Sequence, residues 1–273
     1  MIKNTAISIP LVAVSVTACA VLGAALSELW RPLFLSVMLS GILLGLVAAG
    51  YSRLLLRLGN VFGNLVIWIG KTASWIILLL IAMIMFDVIT RKIEFIKVRN
   101  AEITETYGFS VSFILQDLQW HTHGILLLMT LGFAYMLNAH VRVDIFRESA
   151  SRRRQAWIEA LGITFFAVPF LMVMIGFSWD FFAASFKGWE GSESMVGLGW
   201  RWIIKSFLIW GFCIAFLAAL STLLRCLGFL YGDGEVRTDA EEALQFFTDA
   251  DALPKLILAQ SGNNDAAGRA GER

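Results

Sequence analysis

Leu118-Gln119-Trp120-His121, an uncharged run from Gly124 to Leu137, and then His140-Val141-Arg142-Val143-Asp144-Ile145 decide how this chain is read. At about 1.5 Å of rise per residue, about 20 helical residues cross the hydrocarbon of a bilayer. Leu118 to Asn138 meets that length. Trp120 and Tyr135 lie near its two ends, where aromatic side chains collect at membrane–water boundaries. Arg142, Arg147, Arg152, Arg153 and Arg154 follow at once, and such an excess of arginine predicts a cytoplasmic connection.

The rest of the composition agrees with a bilayer as solvent. Of 273 residues, 58% are hydrophobic and 16% charged, and the mean hydropathy is +0.72. A soluble domain averages about 45–50% apolar and about 25% charged residues. Membrane lipid is therefore a partner, and a net charge of +1 points to no nucleic acid. Cys19, Cys213 and Cys226 are widely spaced, in or beside apolar runs; they form no disulfide framework and no CxxC pair, and read as packing residues.

Working outward, the chain is all-α, a bundle of about six spans. Ala6–Leu26 and Leu33–Gly50 form an N-terminal hairpin, with Glu28, Trp30, Arg31 and Pro32 between them. The first run has features of a signal peptide, but a retained pair of spans fits its length better. Gly41, Gly45 and Ala49 recur every four residues, a spacing that lets helices approach closely in lipid. Tyr51–Asn64, with Arg53 and Arg57 and no acid, reads as a short cytoplasmic connection. The third span is Val66–Ile89. Lys71 snorkels near its inner end, and Asp87 and Arg91 share a face at its outer end. Arg91–Asp117 is a long polar connection whose last part, Val111–Leu118, leads as a short interfacial helix into the fourth span. Its four cations oppose the positive-inside rule if it lies outside. The fifth span, Ile158–Trp179, carries Pro169 in mid-span, where a missing N–H predicts a kink. The sixth ends at Leu224, with Arg225 beyond it. Thr238-Asp239-Ala240-Glu241 has capping-box spacing ahead of Ala243, Leu244 and Phe247, and predicts a short cytoplasmic helix. Gly262–Arg273 is small and polar, a composition of disorder. The division that follows is a hairpin over 1–60, a four-span core over 61–230 and a cytoplasmic tail over 231–273.

These fragments resemble the small permease subunit of the tripartite ATP-independent periplasmic (TRAP) transporters, the DctQ-type family. That family carries an acid, then Leu-Gln-Trp-His, one span, then His-Val-Arg-Val-Asp-Ile-Phe. Here these are Asp117, Leu118 to His121, and His140 to Phe146. Gly70, Lys71, Ser74 and Trp75, then Asp87, Val88 and Arg91, are similar to its first span. In the connection before the last span, Glu190, Ser192, Gly197, Leu198, Arg201, Trp202 and Lys205 match, while Gly199 stands where the family usually has proline. The resemblance covers Val66 to Leu224 and implies a subunit that braces a larger machine. Its implied partners are a DctM-type large permease, which holds the sodium and substrate sites, and a DctP-type periplasmic binding protein that delivers an organic acid. The residues it marks as motif or partner contacts are Trp120, His121, His140, Arg142, Asp144, Glu190, Ser192, Arg201, Trp202 and Lys205.

The residues read without the resemblance favour a scaffold as well. His121 and His140 would stand about 28 Å apart along a helix, so they cannot share a haem or metal. His121 and His123 point about 200° apart around one. A redox or enzyme subunit with histidine ligands is the alternative, and it lacks facing histidine pairs. No HExxH, GxSxG or phosphate loop occurs. Charges sit at span ends, whereas a transport pathway leaves ionisable groups in mid-membrane. No cofactor and no catalytic set are implied. Glu190–Lys205 and Arg91–Asp117 are expected to face the periplasm, with both termini in the cytoplasm of a bacterial inner-membrane protein.

Overall fold

The computed structural model describes residues 31–139, 150–192 and 197–244. These are helical, with no strand among them. The helices are α1 (Arg31–Ala48), α2 (Ser52–Ser74), α3 (Ile76–Thr90), α4 (Glu94–Tyr107), α5 (Val111–Met136) and α6 (Arg152–Gly162). A π-turn (Ile163–Ala167) follows, and then α7 (Val168–Lys187), α8 (Trp202–Tyr231) and α9 (Gly234–Ala243). The expected first span, Ala6–Leu26, lies outside the described residues.

Among the described residues four stretches are long and apolar enough to cross a membrane: Arg31–Ala48, Ser52–Thr90, Arg152–Lys187 and Trp202–Tyr231. They correspond to the expected second, third, fifth and sixth spans. The expected fourth span is α5, which is 26 residues long. Gln119, Trp120, His121, Thr122 and His123 keep it out of that apolar class.

Helix α8 is the axis of the bundle. Its most apolar stretch is 50% buried, against 17–28% in the other three. Small residues bring its neighbours close. On α2, Leu55, Leu56, Gly59, Gly63, Val66, Gly70 and Ala73 make one buried face. A Cβ on Gly59 would stand 3.1 Å from Leu224 Cβ, and one on Gly63 would overlap the Arg225 guanidinium. The Ser221 hydroxyl donates to the Gly59 carbonyl at 2.6 Å. Gly70 leaves room for Phe133 of α5 in the same way. Helices α5 and α8 run parallel. Gly124 lies against Ile204, Gly211 against Leu128, Gly132 against Ile214, and Met136 Sδ is 4.0 Å from Thr222 Oγ1. In lipid, where apolar surface alone does not drive helices together, such close backbone approach is the main source of association. The Gly41 position meets nothing within 4 Å, so this residue of the predicted glycine stripe closes no contact among the described residues.

Several local expectations change. Ser52–Asn64 is helix, not a connection, because its buried residues recur at helical spacing while Arg53 and Arg57 stay exposed. The expected third span is broken at Trp75. There Trp75 N–H bonds Thr72 O in a tight turn, and the Thr72 and Ser74 hydroxyls bond back to Trp68 O and Gly70 O. Such back-bonding bends helices. The polar connection after Thr90 contains a regular helix, α4, closed by Gly108 at φ 74°. Val111–Leu118 is no separate element: α5 is continuous from Val111. Arg225 does not lie beyond the last span but inside α8, buried, donating from Nε to Asn60 Oδ1 at 3.0 Å and from Nη1 to Ala243 O at 3.0 Å. That second bond caps the carbonyl end of α9, where a cation is favoured. The capping-box spacing fails: α9 starts at Gly234, and Thr238 sits within it, bonding back to Gly234 O and Glu235 O. Val236, Ala240 and Leu244 bury the apolar face of α9 in the main core.

At Pro169 the helix begins from a π-turn. Val168 N–H reaches back to Ile163 O, so the next acceptor in that pattern is Thr164 O, and Pro169 has no N–H to give it. Ser36 of α1 donates its hydroxyl to that carbonyl, and Ser40 Oγ lies 2.9 Å from Thr164 Oγ1. A backbone acceptor freed inside the bundle is thereby satisfied, as low-dielectric surroundings demand.

Candidate functional site

The helix ends fall into two groups. At one end lie the starts of α2 and α6 and the ends of α5 and α8, with Arg53 paired to Glu235 at 3.0 Å and Arg152 to Glu241. There Tyr135 donates to Glu159 Oε1 at 2.9 Å and Trp157 meets Tyr231 edge-on. His140, Arg142 and Asp144 lie outside the described residues. The other end carries the starts of α5 and α8, the end of α7 and the connection between α7 and α8. The remaining expected site residues gather there.

Asp117, in the second turn of α5, holds the connection at two points. Its Oδ2 accepts from Ser192 Oγ at 2.7 Å and from Leu198 N–H at 2.8 Å. These two donors flank residues 193–196, so one carboxylate gathers both arms of the loop. A hydrogen bond to an ionised acceptor is roughly twice as strong as a neutral one. Asp117 is the residue whose role the sequence reading understated. Its place directly before Leu-Gln-Trp-His is the signal the sequence offers for it.

Glu190 ties the base of the same loop. Its carboxylate pairs with Lys205 and lies 3.9 Å from Arg201, and its carbonyl accepts from Arg201 N–H at 3.2 Å. Arg201 and Lys205 therefore share a helical face, as their spacing predicts, and both turn toward Glu190. The hydrogen bond from the Lys205 ammonium is the main reason the Glu190 carboxyl is held below its usual range. Lys205 is only 14% exposed in its side chain, and its Nζ lies 3.9 Å from the centroid of the Phe181 ring. Trp189 and Trp200, at the two sides of the loop, adopt φ of 45° and 61°. For bulky residues that conformation costs of order 1–3 kcal/mol each and persists only where surroundings enforce it. Trp189 closes the end of α7, where Glu190 N–H bonds Ser185 O at 3.3 Å.

The remaining residues divide by exposure. Trp202 packs edge-on against Phe186 and Phe182, with centroids 5.3 and 6.4 Å away, while Trp200 turns outward. Trp120 projects from α5 with 79% of its surface exposed. His121 Nδ1 meets the Asp117 carbonyl one turn earlier, and its Nε2 is buried with no hydrogen-bond partner among the described residues. His123 is exposed on the other side of α5. Asp87, 6% exposed, accepts from Arg91 Nε at 2.9 Å.

Glu190 is thus engaged with Lys205 and Arg201, and Asp117 with Ser192 and Leu198. The fold and these ties define an integral membrane protein built from helices that pack around one central span. Residues 80–228 match the family described as Tripartite ATP-independent periplasmic transporters, DctQ component, and the chain belongs to that family. It is a small permease component of a TRAP transporter. Neither a curated protein nor a solved structure matches it.

Proposed function

We propose that this chain is the scaffold subunit of a sodium-coupled TRAP transporter that takes up an organic acid across a bacterial inner membrane. Its partners are a DctM-type large permease, which carries the sodium and substrate sites, and a DctP-type periplasmic binding protein. The observation that carries this reading is the doubly tied α7–α8 loop. Asp117 of α5 holds Ser192 and Leu198, and Glu190 within the loop is tied to Lys205 of α8, so these charges hold a shape and do not gather around a solute. Coupling an ion gradient to solute movement requires two states with different affinities, and a subunit braced in this way suits the stationary part of such a machine.

In this reading α5 crosses the membrane beside α8 despite its polar first half, since the two run parallel along their length. The arginine-rich end lies in the cytoplasm with both termini, and the Asp117 end faces the periplasm. Trp120, Trp200 and the outer face of the loop meet a partner protein. Arg201, Lys205, Glu190 and Ser192 shape that face from behind. His140, Arg142 and Asp144 form a cytoplasmic corner toward the large permease.

Co-purification tests the assignment. An affinity-tagged chain, expressed with a DctM-type large permease, is expected to bring that permease down in detergent at a fixed ratio. Glu102→Cys should label from outside spheroplasts with a membrane-impermeant maleimide, and Ser151→Cys should not. Purification without any large permease, or the opposite labelling, contradicts the assignment or its orientation respectively.

A further inference from the structure

A second site stands apart from the tied loop. Where α3 ends, α4 and the start of α5 enclose a cavity of about 580 Å³. Phe86, Ile96, Ile103, Val111 and Leu115 give it apolar walls. Arg91, Lys97 and Arg99 also line it, and none of its lining residues is acidic. Their carboxylate partners Asp87, Glu94 and Glu102 each engage one nitrogen from outside the cavity. The remaining guanidinium nitrogens of Arg91 and Arg99 have no partner among the described residues.

The cavity is held open by its own frame. Asn100 of α4 accepts from Val111 N–H at 3.0 Å and donates to Ser112 Oγ at 2.9 Å. It thereby satisfies one of the N–H groups that the start of α5 leaves unpaired and pins α4 to α5. The site also lies at a membrane boundary, because α3 closes the apolar stretch Ser52–Thr90. Exposed Met85, Phe86 and Ile89 on α3 lead from the hydrocarbon to Arg91 and the cationic rim.

We propose that this cavity binds one anionic glycerophospholipid, its phosphate among Arg91, Lys97 and Arg99 and its acyl chains along Phe86, Ile103 and Leu115. The charge complementarity selects an anion, and the apolar walls select one that carries chains. Guanidinium groups meet phosphate oxygens through paired N–H donors. The bound lipid would fill the gap between α3 and α4 and join the surface helix to the span. This proposal concerns a lipid site in the isolated chain and is independent of the transport assignment.

The test is native mass spectrometry of the full chain in detergent, titrated with dioleoylphosphatidylglycerol or dioleoylphosphatidylcholine. One phosphatidylglycerol per chain is expected to persist under activation that strips phosphatidylcholine. Lys97→Gln with Arg99→Gln should lower phosphatidylglycerol retention on the order of tenfold. Ala101→Trp, which fills the cavity while leaving Arg91, Lys97, Arg99 and Asn100 in the sequence, should exclude the lipid while the thermal melt stays cooperative. Equal retention of the two lipids, or retention of phosphatidylglycerol unchanged by both variants, overturns the site. So does complete displacement by millimolar sodium phosphate, which would mark a small-anion site in place of a lipid one.

Discussion

Ser36 donates its hydroxyl to the carbonyl of Thr164, the acceptor that Pro169 leaves without an N–H in the π-turn. This bond ties α1, which lies outside the matched residues 80–228, to the helix that carries the fifth span. Ser36→Ala is expected to destabilise the solubilised protein by about 1–3 kcal/mol, the cost of leaving a buried acceptor unpaired. Pro169→Ala supplies the missing N–H, so in that background Ser36→Ala should cost much less. Thermal melts of the four proteins check the coupling, and additive effects would remove it.

The glycine seam gives a second expectation. Gly63→Ala sets a methyl group against the Arg225 guanidinium, and Gly132→Ala sets one 2.9 Å from Ile214 O. Each should lower stability by about 1–3 kcal/mol, as overpacking does. Gly41→Ala meets open space and should be neutral or stabilising by up to about 1 kcal/mol, the helix preference of alanine over glycine. Melting temperatures in one detergent distinguish the two groups.

Glu190 sets a pH dependence. Its carboxyl titrates below the ordinary range when folded, so its tie to Lys205 contributes above the unfolded pKa. That contribution is lost as pH falls through the lower, folded value. Protection of the Arg201 amide, which bonds the Glu190 carbonyl, should persist at pH 4.5 and fall only under more acid conditions. Glu190→Gln should abolish this acid step. Hydrogen exchange followed by mass spectrometry measures it, and loss of protection above pH 4.5 in the parent protein would contradict the tie.

Much of the fold is legible because hydrophobic runs of membrane length mark candidate spans directly, and the apolar stretches of the described residues overlap the expected second, third, fifth and sixth. The misreadings share a cause. Ser52–Asn64 looked like a connection because Arg53 and Arg57 were counted and the buried period of Leu55, Leu56, Gly59 and Gly63 was not. Arg225 looked like a charge past the end of a span; only the tertiary fold shows that Asn60 and the α9 carboxyl end receive it. Thr238 had the spacing of a cap but lies inside a helix that starts one turn earlier. At the site, helical spacing placed Arg201 and Lys205 on one face. Their shared target, Glu190, stands across a loop, and the two arms meeting Asp117 stand more than seventy residues away. Periodicity carries no information across such distances.

Asp117 should matter to the loop more than to the bundle. Asp117→Ala removes the acceptor that Ser192 and Leu198 share, whereas Asp117→Asn keeps an acceptor oxygen but gives up the charge. Cleavage between α7 and α8 by a soluble protease should speed up at least several-fold in the alanine variant and less in the asparagine variant. Thermal melting, dominated by α8 and its glycine contacts, should shift little. Equal cleavage of all three proteins would show that the loop is held by other means.

This chain is proposed to brace a transporter and to move nothing by itself. Uptake into liposomes tests it most directly. Purified alone and reconstituted, the chain is expected to take up no organic acid under an inward sodium gradient. Uptake should appear only when its large permease is in the same membrane and the loaded binding protein is outside. Sodium-driven uptake by this chain alone would contradict the account.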